Sequence, residues 1–132
     1  MANNLDAEIK LLYAADDGTT FTANRVKLGD PFDVIANVEI GEDLMEVVDT
    51  DEVFVSVVNL SQAKLVFARS QSQNLAPQKT ALNQELRIDV NAGWEVNAAV
   101  GDVLEAIATY KVRAGIYTDF SAAKSSLFIV TN

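Results

Sequence analysis

Apolar and polar side chains alternate along most of this chain. In residues 31–40, PFDVIANVEI, one face collects Phe32, Val34, Ala36, Val38 and Ile40. Asp33, Asn37 and Glu39 point the other way, with Ile35 the exception. Residues 82–90 repeat the pattern, with Leu82, Leu86, Ile88 and Val90 against Arg87 and Asp89. Residues 104–112 do so again, with Leu104, Ala106, Ala108, Tyr110 and Val112 against Glu105, Thr109 and Lys111. A period of two sustained this long predicts strands with one wet face. Three further runs, 7–13, 52–58 and 125–131, are rich in β-branched and aromatic residues, and 21–28 is a weaker strand candidate. Turn signals separate them at Asp17-Gly18, Gly29-Asp30-Pro31, Gly41-Glu42-Asp43, Ala92-Gly93 and Gly101-Asp102.

Residues 59–73 read as a tight turn and a strand at 64–69. The alternative is a short helix carrying Leu60, Lys64 and Phe67 on one stripe. The polar stretch 70–84, with Pro77, reads as a long connection. Together these elements predict an all-β chain, one domain over 1–132. It is expected to form a single antiparallel two-sheet sandwich of seven to eight strands, with a small closed barrel as runner-up. The first and last strands are apolar on both faces. Ile9, Leu11 and Tyr13 share one side of the first, with Leu12 opposite. Phe128 and Val130 oppose Leu127 and Ile129 in the last. Strands of that kind at a sheet edge invite cover from another chain.

Composition narrows the chemistry. About half of the 132 residues are apolar, enough for a core. With 10 basic against 19 acidic residues, the net charge is −9. That argues against nucleic acid as a partner, since phosphate binding needs a basic surface, and against anionic membrane surfaces. No apolar run approaches a membrane span, so membrane insertion is not expected. The first residues, MANNLDAEIK, lack a basic segment followed by an apolar one, so synthesis in the cytoplasm is expected, with a place in a virion or exported assembly left open. There is no Cys and no His. Their absence removes thiolate chemistry, Ser-His-Asp hydrolysis and imidazole-based zinc sites. No phosphate-binding glycine loop and no nucleophile elbow is present.

Acidic residues are the remaining candidates. MEVVDTDEVF, residues 45–54, sets Glu46, Asp49, Asp51 and Glu52 among apolar neighbours. If successive loops alternate between the two ends of a sandwich, those near 14–20, 41–51, 70–81 and 113–122 share one end. That pole would gather Asp16, Asp17, Glu42, Asp43, Glu46, Asp49, Asp51 and Asp119. If 21–28 is not a full strand, Asp16 and Asp17 leave it. Such a pole is a solvated cluster, a dock for a basic partner or neighbouring subunit, or a calcium site built from Asp16, Asp17, Glu42, Asp43, Asp49, Asp51 and Asp119. No other cofactor is expected. An EF-hand starting at Asp49 fails, because Phe54 stands where Gly is required and Leu60 where a bidentate Glu is required. Glu46 and Glu52 are candidate partner contacts. So are Tyr117 and Phe120, expected in a loop between the last two strands. Trp94 reads as a plug between the sheets. Asn59-Leu60-Ser61 matches a glycosylation sequon.

Ala108-Thr-Tyr110-Lys-Val112 resembles the sixth-strand pattern of immunoglobulin-like and fibronectin-like sandwiches, in which a Tyr two positions before the buried Cys ties down a corner; Val112 stands where that Cys would be. Residues 125–131 would follow as the final strand. Without a Cys pair, and with its Trp after the presumed fifth strand, the chain departs from antibody-type domains. The resemblance implies adhesion, assembly or spacing. The expected role is therefore a non-catalytic structural or protein-interaction module. It would be a homo-oligomer or a subunit of a larger assembly of phage, injection-system, filament or surface type. The alternative is a calcium-dependent module binding a ligand such as a carbohydrate. A carboxylate hydrolase would require two acids facing each other in a cleft.

Overall fold

A computed structural model describes residues 5–132. The first four residues of the domain expected over 1–132 lie outside the described residues. Nine strands are present among them: β1 (Ala7–Asp16), β2 (Arg25–Lys27), β3 (Phe32–Ile40), β4 (Thr50–Asn59), β5 (Lys64–Asn74), β6 (Leu82–Val90), β7 (Val103–Ala114), β8 (Tyr117–Lys124) and β9 (Phe128–Thr131). One helical turn, α1 (Glu42–Met45), precedes β4, and a 3₁₀ turn covers Trp94–Asn97. The strands form a smaller sheet, β1-β3-β6, and a larger one, β2-β9-β7-β4-β5, with β8 also paired to β7. Neither sheet closes into a barrel. The all-β, two-sheet expectation holds at that level, with nine strands among the described residues where seven to eight were expected, and with β2 and β9 parallel.

The alternating residues meet between the sheets. Val34, Ala36 and Val38 face Val53, Val55 and Val57 of β4 and Ala106, Ala108, Tyr110 and Val112 of β7 within one buried cluster. Leu44 and Met45 close one end of this core, both 1% exposed. Trp94 closes the other, its ring 5.5 Å from Phe32 at 89°, with Nε1 donating to the Asp30 carbonyl at 2.8 Å. Satisfying the indole N–H while burying the ring lets Trp94 act as the expected plug.

Four elements differ from the sequence reading. First, a bulge in β1 shifts the register between Ile9 and Leu11. Ile9 and Leu12 therefore face the core, while Leu11 is exposed, because one extra residue flips every following side chain. Second, 59–73 does contain a strand, but it continues to Asn74, and the chain enters it through Ala63 at φ 54°. Third, 21–28 yields only the three residues of β2, which run parallel to β9 and do not traverse the sheet. Fourth, the expected loop 113–122 is a hairpin. Gly115 and Ile116 turn the chain between Ala114 and Tyr117, with the positive φ at the first position that a two-residue hairpin turn of this hand needs.

The strand β8 went unread because its inward face is polar. Asp119, Ser121 and Ala123 stand opposite Val112, Tyr110 and Ala108. Their side chains serve the backbone of β1: the Ala7 N–H donates to Asp119 Oδ2 at 2.7 Å and the Ile9 N–H to Ser121 Oγ at 3.1 Å. The edge of β1 that looked open to another chain is thus partly occupied from within. The edge of β9 is likewise lined by β2.

Candidate functional site

The acidic residues do not form one pole. Asp16 pairs with Phe32 while Ala7 pairs with Ile40, so β1 carries Asp16 and Asp17 to the Trp94 end, away from α1. That corrects the expectation of a cluster containing Asp16, Asp17, Glu42, Asp43, Asp49, Asp51 and Asp119. Because β2 makes no traverse, the loop count loses one crossing.

The remaining acids are divided by local geometry. Glu42 and Asp43 occupy the first turn of α1, and Glu46 follows it, all three exposed. Asp49 accepts from the Gly115 N–H at 2.6 Å, holding the β7–β8 turn. Asp51 and Glu52 are successive residues of β4 and so point to opposite faces. Asp51 is buried, accepting from the Tyr110 hydroxyl at 2.6 Å and from Gln73 Nε2 at 3.3 Å. Burial raises its carboxyl above the usual value, against the pull of these two hydrogen bonds. Burial, then the Asp51 bond, pushes the Tyr110 hydroxyl far upward, so it remains a donor. Asp119 is engaged with β1. Among the described residues no group of three or more acids is arranged to hold a metal ion.

Two acids do face each other, in a place the sequence reading did not single out. Asp33 and Asp89 are cross-strand neighbours on the outer face of the smaller sheet. Asp33 is fully buried and accepts from Arg87 Nη1 at 2.5 Å and from the Gly18 N–H at 2.9 Å. Arg87 Nη1 also donates to the Thr19 carbonyl at 2.7 Å. The Asp33 hydrogen bond, followed by desolvation, raises the Asp89 carboxyl. The signal available in the sequence was the alternation itself, which put Asp33, Arg87 and Asp89 on wet faces. What it lacked was pairing between residues 54 apart or more. Arg87 already saturates one Asp33 oxygen and ties it to the 17–20 turn, so the arrangement secures that turn.

At the Trp94 end Asp102 has a similar task. It accepts from Asn59 Nδ2 at 2.7 Å, Gln62 Nε2 at 2.6 Å and the Ala99 N–H at 2.9 Å, and the Asn59 bond leads in holding its carboxyl below the usual value. Asn59 is 1% exposed, with its amide also donating to the Asn97 carbonyl, so the sequon has no accessible acceptor in the folded chain.

No family model matches this chain, and no curated protein matches it.

The outer face of the larger sheet is where the candidate contact residues come together. Register places Ser72, Glu52, Lys111 and Phe120 in one row across β5, β4, β7 and β8. The next row is Ser70, Phe54, Thr109 and Ala122, and the next Ala68, Ser56, Ile107 and Lys124. Phe54, Ile107 and Phe120 are exposed at 44%, 40% and 67%. Phe54 and Ile107 are diagonal neighbours on adjacent strands, while Phe120 lies across β7 from Phe54 and two rows from Ile107, beside Lys111, which pairs with Glu52 at 3.5 Å. Phe120 and Glu52 lie on this face. Tyr117 does not: it is at the β8 end, its hydroxyl 3.4 Å from the Leu5 carbonyl. Glu46 lies beside Pro77, Gln78 and Lys79 at the α1 end, away from both.

Proposed function

We propose that the chain is an immunoglobulin-like or fibronectin-like sandwich. Its role is that of a non-catalytic structural or protein-interaction subunit of a larger assembly, of phage, injection-system, filament or surface type. Strand order supports the fold reading. Setting aside the short β2 and β9, the long strands run β1-β3-β6 in one sheet and β5-β4-β7-β8 in the other. That is the order A-B-E and C′-C-F-G of such sandwiches. On this assignment β8, not residues 125–131, is the final G strand. Tyr110 holds the expected position on F, although its hydroxyl bonds the Asp51 side chain.

The observation that carries the role is the exposure of Phe54, Ile107 and Phe120 on one face of the larger sheet. Aromatic anchors of this kind carry most of the binding energy in protein contacts. Molar mass by light scattering over a concentration range, with calcium and with chelator, tests the reading. A mass above the 14.3 kDa monomer that is indifferent to chelator and falls in Phe54→Ser/Phe120→Ser supports it. A monomer under every condition counts against self-assembly. Growth only with calcium would move support to the calcium-dependent module.

A further inference from the structure

Of the sheet edges, one is long, regular and undefended. The β1 and β8 edges lie against each other, with Asp119 and Ser121 of β8 accepting from β1 N–H groups, and β9 is lined by β2. The β6 edge bears Glu85 and Asp89. The edge strand β5 is 11 residues long and contains no Pro, no Gly and no acid. Its irregularity lies at its start, opposite Val57 and Val58, where Asn97 Nδ2 also donates to the Leu65 carbonyl. From Ala68 to Asn74 the pairing with β4 is regular and all residues but Gln73 are exposed. Natural edges are blocked by charge, proline, bulges or cover. This segment has only Arg69.

Charge selects the occupant. The chain carries 19 acids, yet residues 53–84 contain none, while holding Lys64, Arg69 and Lys79. Two copies of a molecule with net charge −9 repel over most of their surfaces. Along β5 they meet without acid facing acid. We propose that residues 68–74 of β5 pair antiparallel with the same segment of a second copy, about a two-fold axis through Gln71, joining two larger sheets edge to edge. This rests on the assembly reading above and names one of its contacts.

The register follows from the pleat. In a two-fold antiparallel pair, opposing residues must share a face, so their numbers differ by an even count. Centring on Gln71 uses the whole exposed segment. Arg69 then opposes Gln73, Ser70 opposes Ser72 and Ala68 opposes Asn74, and no like charges are opposed. A centre at Arg69 would set arginine against arginine.

The chain has no cysteine, which gives a clean test. Directly opposed Cα atoms in an antiparallel pair lie within disulfide reach. Gln71→Cys should oxidise to a covalent dimer under mild conditions, and Gln73→Cys, opposed to Arg69, should not. Gln71→Lys opposes lysine with lysine and should weaken the wild-type dimer at least tenfold by light scattering. Gln71 is exposed on an edge, and circular dichroism with a melting curve checks that each variant folds. An assembled wild type whose mass is unaffected by Gln71→Lys, with no Gln71→Cys dimer, overturns the β5 contact and leaves the assembly reading intact. A wild type monomeric to high concentration overturns the β5 contact and self-assembly with it.

Discussion

The Tyr110 hydroxyl donates to Asp51 Oδ2 at 2.6 Å inside the core, joining β7 to the start of β4. Both side chains face inward, and Tyr110 is the largest fully buried side chain of the described residues. An immunoglobulin-type corner would use that hydroxyl on the backbone. Here it meets a carboxylate on the neighbouring strand, at the point where β4 leaves α1. Tyr110→Phe keeps the ring and deletes the donor, leaving Asp51 with Gln73 alone. An acceptor deprived of its partner in the core costs about 1–3 kcal/mol. Urea denaturation near neutral pH should show a loss of that size with an unchanged m-value.

Asp51 also sets a pH dependence. Burial lifts its native pKa above the ordinary 3.8. The native state therefore holds this proton more tightly than the unfolded chain. Its contribution to stability is fully present below the unfolded value and is lost as pH rises through the raised native value. Asp51→Asn does not titrate. Stability of Asp51→Asn relative to wild type should therefore rise with pH from about 3 upward and level off once Asp51 is ionised in both states. Asp102 has the opposite sign, because its native pKa is lowered. Its contribution is lost as pH falls through that lowered value, and an Asp102→Asn comparison would slope the other way. A flat difference for Asp51→Asn would contradict the buried placement of this carboxylate.

Asp119 makes a third prediction. Its carboxylate takes the Ala7 N–H at 2.7 Å, an amide that no strand of the smaller sheet reaches. Asp119→Ala should cost about 1 kcal/mol. Hydrogen exchange should quicken at Ala7 and Ile9, which depend on β8, while Val34 to Val38 in the sheet centre keep their protection. Uniform acceleration along β1 and β3 would mean the side-chain contacts do not hold this edge.

Local pattern determined much of this molecule. Alternation over 31–40, 82–90 and 104–112 specified three strands and their core faces, because a side-chain period of two leaves one way to bury apolar residues. But the wet face expected of 31–40 is covered as well, with Asp33, Ile35 and Glu39 buried. The lack of Cys and His removed whole classes of chemistry on composition alone. Tertiary structure decided the rest, where the partner in space is far along the chain. The β1 bulge reversed Leu11 and Leu12, since one unpaired residue is invisible to periodicity. Strand β8 carries Asp119 and Ser121 inward because β1, 112 residues away, offers them N–H groups. The acids divided between two ends because β2 is three residues long and parallel, a pairing that only the larger sheet could specify.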